Sequence, residues 1–474
     1  MSNMKIIILS FFSVLLTVLS GGVLQSQTSV VARSPHFSHA TKVIIKELSY
    51  PSTITCANSG TDSVTFIYSD ASLQSNEIII TGYFVNDITI VKDTLFFCGR
   101  TVGNERAETG IFGFFKFDAG FNNISNVYIY DNILAGVPYL KVVELTRMQN
   151  FISSSGDRHL ACVGMCDRKY PCLIDFYRWP TGWYYAGGNI LDENESLTDV
   201  KITQNAMGIN KLVTAGFDDS YGRHVCLRIY DPDLVFTPSG MQDTRFTFCD
   251  DPYTEYDWHG DEVLLSPVEN NIFATASHKK AEVYVHNANN RTDVFSELQV
   301  SFYKVSALTS SSVYSMIKTA SVLLPENSYR SINQFVKRRN DRSLVLLHTI
   351  TPAFSSIKST FCEIDYPLPS DNGYWRAYSY ADNILQGLTS YDWGHKYAMS
   401  GYSLYNNTVL KYEMETFGTA SNCAERQEYE YFDIKTIPSV NHNVPFVSML
   451  GVVKWKQLEF KQRRVSISID CGAQ

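Results

Sequence analysis

The chain of 474 residues is 45% hydrophobic and 13% aromatic, so it can bury a large core, while only 19% of it is charged and its formal net charge is −8. A nucleic-acid partner is excluded, because no basic face is in view that would displace counterions from phosphates. The most basic stretch, residues 454–464, alternates Lys454, Lys456, Lys461, Arg463 and Arg464 with Trp455, Leu458 and Phe460, which reads as a strand with one solvated face.

In chain order the first feature is Lys5 followed by an uncharged apolar run over 6–19 and then Ser20-Gly21-Gly22. A basic residue, a short apolar run and small residues for cleavage are the parts of a secretory signal, expected over 1–26 with residues 27–474 forming one mature domain. The run is too short to span roughly 30 Å of hydrocarbon comfortably, so no membrane insertion is expected after cleavage. The first cysteine, Cys56, lies too far away for lipid attachment. The expected product is therefore secreted, periplasmic or displayed at the cell surface, is not a lipoprotein, and is a monomer.

Six stretches then repeat one plan, a short apolar run closed by a mostly small residue. They are Leu95-Phe-Phe-Cys-Gly99, Leu160-Ala-Cys-Val-Gly164, Leu212-Val-Thr-Ala-Gly216, Ile272-Phe-Ala-Thr-Ala-Ser277, Leu344-Val-Leu-Leu-His348 and Tyr397-Ala-Met-Ser-Gly401, spaced by 65, 52, 61, 71 and 53 residues. A second repeat, Asp131-Asn-Ile-Leu134, Gly188-Asn-Ile-Leu191 and Asp382-Asn-Ile-Leu385, follows an aromatic run each time. Units of this length without helical patterning predict an all-β fold, a single β-propeller of four-stranded blades. The first blade is expected as Val85 to Ile90, Leu95 to Gly99, Gly110 to Phe117 and Val127 to Tyr130. Six full repeats cover about 84–435, and strand-like remnants lie on either side, about 44–83 and 436–471. Joining the remnants in one composite blade gives seven blades with both termini closing the ring, although six or eight also fit. The longest interval holds the Ser/Thr-rich segment 306–315 and Leu324-Pro-Glu-Asn, which read as an insertion.

Ten cysteines in an exported chain point to disulfides. The pairs best placed on the blade plan are Cys226 with Cys249, Cys166 with Cys172, and Cys56 with Cys471, whereas Cys98 and Cys162 read as buried thiols. No zinc spacing occurs, so no metal site is expected from cysteine.

The signal, the aromatic units of about 60 residues and the absence of other domains resemble the uncharacterised secreted β-propeller proteins common in Bacteroidetes. That resemblance covers nearly the whole mature chain and implies a fold rather than a chemistry. In propellers, the loops from second to third strand and from outermost to next inner strand gather on one face around the axis, where ligands bind. Here they carry Asp218 and Asp219, then Asp251, Glu255, Tyr256, Asp257, Trp258 and His259, and the same face receives Asp192, Glu193 and Glu195. Convergent carboxylates of this kind hold Ca²⁺ or form the acid and base of a glycosidase, and the aromatics stack on sugar rings. Equally, these segments read as solvated loops that cover the blade below. No cofactor other than Ca²⁺ is suggested. His159 and His348 read as structural.

No catalytic signature is present: no His-Glu-x-x-His, no Gly-x-Ser-x-Gly and no phosphate-binding glycine loop. The leading expectation is thus a non-enzymatic binding module for a glycan or a cell-surface protein. Its rivals are a carbohydrate-active enzyme, hydrolase or lyase, using paired carboxylates, and a structural envelope protein.

Overall fold

Runs such as Ile111-Phe-Gly-Phe-Phe115, apolar on both faces, cannot be solvated on either side, and their partners are other strands of the same kind. The computed structural model describes the chain between 28 and 471, apart from 32–39, 104–107, 134–140, 179–183, 219–223, 231–243, 250–262, 285–291, 306–313, 339–343, 353–356, 392–395, 405–408, 416–424, 443–446 and breaks of three residues or fewer. The described strands form seven antiparallel meanders. Blade 1 comprises Ala40–Ser49, Ser52–Ser59, Ser63–Ser69 and Gln74–Thr81. Blade 2 comprises Tyr83–Val91, Thr94–Thr101, Gly110–Lys116 and Val127–Tyr130, as the sequence predicts. Blades 3 to 6 begin at Val142–Ile152, Asp199–Gln204, Val263–Glu269 and Ser328–Lys337. Blade 7 has Asn383–Tyr391, Lys396–Ser403 and Val409–Glu415, and takes its fourth strand, Thr28–Val31, from the other end of the chain.

The first strand of every blade touches the first strand of the next, and that of blade 7 touches that of blade 1, so the ring is closed: the fold is a β-propeller. Both termini do meet at the seam, but not in the expected composite blade. Residues 40–81 are long enough to complete a blade of their own, so the closing blade borrows a single strand, Thr28–Val31, which pairs with Val409–Glu415 on one side and Lys461–Cys471 on the other.

The remaining carboxy-terminal material is a belt. Glu425–Asp433 pairs with the outermost strands of blades 5 and 6, Ile437–His442 with blade 4, Val447–Val452 with blade 3, Lys456–Leu458 with blade 2 and Lys461–Cys471 with blade 1. The tail thus runs round the rim against the chain order and covers the outer edge of one blade after another, edges that would otherwise template association. The basic run is its last part, where Arg463 pairs with the buried Glu77 and Lys456 lies 3.7 Å from Asp131. Of the expected insertion in blade 5, residues 306–313 lie outside the described residues, while Tyr314, Ser315 and Leu324 belong to the strand Tyr314–Leu324. Ile272–Tyr284, Thr292–Val305 and Tyr314–Leu324 are simply long strands, which accounts for the wide spacing there.

The repeated small residue has a geometric cause. Gly99, Gly164, Ser277, His348 and Gly401 each stand opposite an apolar residue of the inner strand, namely Val85, Leu145, Val263, Ile332 and Leu385. In four blades a neighbouring inner-chain carbonyl fills the place of a side chain: a Cβ on Gly99, Gly164, Gly216 or Gly401 would lie 1.9, 2.1, 1.8 or 2.0 Å from the oxygen of Phe84, Glu144, Ser196 or Ile384. The inner strands of blades 2, 3, 6 and 7 bulge immediately after this point and leave Asn86, Thr146, Asn333 and Gln386 unpaired in the ladder.

Three of those bulged residues stitch the ring. Asn86 donates to the Leu145 carbonyl at 2.8 Å, Asn333 to the Leu385 carbonyl at 2.5 Å, and Gln386 accepts from the Val43 amide at 2.8 Å across the seam. Asp87 accepts from the Met148 amide at 3.0 Å and Asp199 from the Leu265 amide at 2.8 Å in the same manner. Each such bond contributes on the order of 1 kcal/mol, and each would leave a costly buried orphan if broken. Between blades, aromatic rings fill the widening space; Phe112 stacks on Phe176 with centroids 4.0 Å apart.

The cysteines of the expected pairs are placed as follows. Cys56, Cys166, Cys172 and Cys226 are buried thiols, as are Cys98 and Cys162. Cys226 stands opposite Thr247 rather than Cys249, and Cys471 stands opposite Thr28. A hydrogen bond with Cys166, and then burial, push the Cys172 thiol well above its ordinary value, so the two sulfurs of this expected pair lie against each other in the core.

Candidate functional site

The bulges turn polar side chains towards the axis, and there the described residues enclose a cavity of about 310 Å³. Blades 1, 3, 6 and 7 line it. Lys42 is the third residue of its strand, Ile384 the second of its own, and Tyr402 the last but one of Lys396–Ser403, so the cavity lies towards the face where inner strands begin and second strands end. That is the face the sequence singles out, but the site is on the strands of the axis rather than on the loops.

Arg147, almost fully buried, extends from blade 3 across the channel to the Asn333 carbonyl of blade 6 at 3.3 Å. Lys42 donates to Asn86 Oδ1 at 3.3 Å. Asn86 passes the contact on to Glu144 at 2.7 Å, whose carboxylate lies 3.4 Å from Arg100 Nε; Arg100 pairs with Glu108, which meets Arg168 at 2.6 Å. A chain of charged and polar groups therefore runs from the cavity to the rim across blades 1, 2 and 3. Asn333 Nδ2 also holds Thr349 Oγ1 at 2.7 Å, and Gln386 is fixed by the Val43 amide, so the amides of the wall are oriented before any ligand arrives.

Cations and carboxylates are interleaved along the axis. Burial alone would raise the Asp87 carboxyl, but the charges of Lys46, Arg147 and Lys201 and a bond from the Met148 amide bring it below the ordinary aspartate value. Lys201 in turn lies 2.8 Å from Asp199. Burial pushes the Tyr402 phenol upward, which keeps its proton in place at neutral pH. The cavity thus offers two cations, amides, hydroxyls, a protonated phenol and apolar patches from Val43, Ile44, Ile332 and Ile384, and none of its lining residues is a carboxylate.

The residues expected from the sequence are placed as follows. Asp218 ends the strand Asn210–Asp218, whereas Asp219, Asp251, Glu255, Tyr256, Asp257, Trp258 and His259 lie outside the described residues, as does Asp192. Glu195 does not join a carboxylate cluster. It is buried and clamps Arg228, with Arg228 Nε to Glu195 Oε2 at 2.9 Å and Nη2 to Oε1 at 2.6 Å. Glu193 is paired with Lys169. His159 is buried on Asp175 at 2.7 Å and stacked on Phe151, and His348 is buried against Cys362, so both are structural as expected. Among the described residues no group of three His, Cys, Asp or Glu side chains is arranged to hold a metal. Lys42, Arg147 and Tyr402 were missed because their common feature is position, one bulge or strand end each, with no shared local motif.

What fold and cavity define together is a β-propeller with a polar axial pocket lined by Lys42 and Arg147. No protein-family model matches the chain, and no curated protein does. Among solved structures, it aligns with an α-L-arabinanase of Penicillium chrysogenum complexed with arabinobiose, at 10% identity and a TM-score of 0.37, over 82% of this chain and 98% of that one. The sequence led to the expectation of a non-enzymatic binding module, whereas the protein it aligns with is described as an arabinanase.

Proposed function

We propose that the chain is an exported carbohydrate-active enzyme whose substrate enters the axial pocket. The observation that carries the reading is the convergence of Lys42, Arg147 and Tyr402 with the amides of Asn333, Gln334 and Gln386 in one cavity of about 310 Å³. That volume is at the small end of the roughly 300–1,000 Å³ of ligand pockets and suits a short saccharide. Fixed amides and hydroxyls match sugar hydroxyls, and the interposed isoleucines and valine match the apolar face of a ring. Tyr402 gives its proton to the leaving glycosidic oxygen as a water molecule displaces that oxygen at the anomeric carbon, and the proton released by the added water returns to the tyrosinate. The amino-terminal 26 residues, outside the described part, are proposed as the export signal.

Incubation with a panel of neutral and acidic polysaccharides, followed by detection of newly formed chain ends, tests the reading. Turnover should fall about a hundredfold in Tyr402→Phe, the lower range for loss of a general acid. Failure to turn over any polysaccharide, or full turnover by the phenylalanine variant, would refute it.

A further inference from the structure

We propose that Cys98 of blade 2 and Cys162 of blade 3 form a disulfide when the chain folds under oxidising conditions, a covalent tie between neighbouring blades. The inference is independent of the carbohydrate reading. It starts from the alternation of side chains along a strand. Cys98 is the last residue before the repeated Gly99, whereas Cys162 is the last but one before Gly164, so the two occupy opposite faces of equivalent sheets. The packing shows the result. Phe96 and Cys98 join Leu160 and Cys162 in the core between blades 2 and 3, while Leu95 and Phe97 pack back on blade 1 and Ala161 and Val163 forward on blade 4. Both cysteines are fully buried, and the Cys162 thiol is hydrogen-bonded with that of Cys98.

The same layer holds a second pair, Cys166 and Cys172, whose geometry differs. Cys172 stands opposite Gly164 and Cys166 opposite Tyr170, so the two occupy diagonal places on adjacent strands. Diagonal places lie about 7–8 Å apart, beyond the roughly 7 Å over which two Cα atoms can be bridged, and this pair stays reduced. Facing sheets carry no such register constraint, and a single disulfide spans them in antibody domains. Bond formation removes two protons and two electrons from the two thiols. A disulfide donor such as oxidised glutathione takes them up through a mixed disulfide and leaves as two thiols. Burial, and then the hydrogen bond with Cys98, push the Cys162 thiol well above its ordinary value, so little thiolate exists in the folded chain and the exchange takes place while the blades are still closing.

The full chain is prepared twice, by refolding from urea with oxidised and reduced glutathione and by secretion from an expression host. Free thiols are then blocked with N-ethylmaleimide and proteolytic peptides mapped by mass spectrometry; either preparation suffices. A peptide joining residues 98 and 162 is expected, with Cys166 and Cys172 alkylated. The bond closes the long loop from 98 to 162, so dithiothreitol should lower the thermal midpoint by about 4 °C more in the wild type than in Cys98→Ala, while Cys166→Ala responds as the wild type does. Alkylated Cys98 and Cys162, a bond between Cys166 and Cys172 in their place, or an equal response to dithiothreitol in the wild type and Cys98→Ala would overturn the proposal.

Discussion

Replacing Gly99 by alanine puts a methyl group where the Phe84 carbonyl already stands. The added Cβ would lie 1.9 Å from that oxygen and 2.9 Å from Val85 Cα, about 1.5 Å short of ordinary contact with the oxygen. Both obstacles are backbone, so no side chain can swing aside. The inner strand would have to retreat, and it is tied at this point: Asn58 of blade 1 accepts from the Val85 amide at 2.8 Å and donates to its carbonyl at 2.7 Å. Losing those two bonds costs about 2 kcal/mol, and overpacking adds about 1–3 kcal/mol. The stiffer unfolded chain returns about 0.5–1 kcal/mol, so the net loss is about 2–4 kcal/mol, a large part of the roughly 5–15 kcal/mol of a folded domain. Urea unfolding followed by tryptophan fluorescence measures it as a lowered midpoint. Ser277→Ala, at the same repeat position of blade 5, serves as control and should cost less than about 1 kcal/mol, since a Cβ is already accommodated there. A Gly99→Ala midpoint equal to wild type would refute the claim that the repeat exists to admit the inner-strand carbonyl.

Arg228→Met strands the buried Glu195 carboxylate and should cost about 3–5 kcal/mol in urea, whereas the double variant Arg228→Met, Glu195→Leu should recover most of it; equal losses would contradict the buried-pair reading. Asp87 has a folded pKa below its unfolded value, so its contribution is complete above about pH 4 and is lost as pH falls below that through the folded value. Asp87→Asn should accordingly flatten the acid limb of the stability profile, as followed by thermal midpoints between neutral and strongly acid pH. A chain ended after residue 424 lacks the belt and bares the outer strands of all seven blades, Thr28–Val31 included, so sedimentation should show association where the full chain gives one species.

Much of the ring was legible because its cause is local. The clash that demands glycine after Leu95-Phe-Phe-Cys recurs after Leu160, Leu212 and Tyr397, so the repeat could be counted from residue types. Blade 5 hides its third strand because Ile272–Tyr284 runs on without a turn signal, and the aromatic pair Phe302-Tyr303 looks like an outermost strand although it belongs to the third. The belt was illegible for a different reason. Tyr429 and Tyr431-Phe432 look like any aromatic outer strand, and only pairing across distant sequence shows that they serve blades 5 and 6 instead of closing a repeat of their own. The axial pocket was missed because attention to acidic loops favours residues adjacent in sequence, whereas Lys42, Arg147 and Tyr402 come from three blades and meet only when the ring closes.

The most direct test of the axial pocket as the working site is a crystal structure of the protein with a short saccharide bound. The account predicts the sugar on the propeller axis with a hydroxyl or glycosidic oxygen at Tyr402. A sugar seated on the acidic 250–262 crossing, with the axial cavity holding solvent alone, would contradict it.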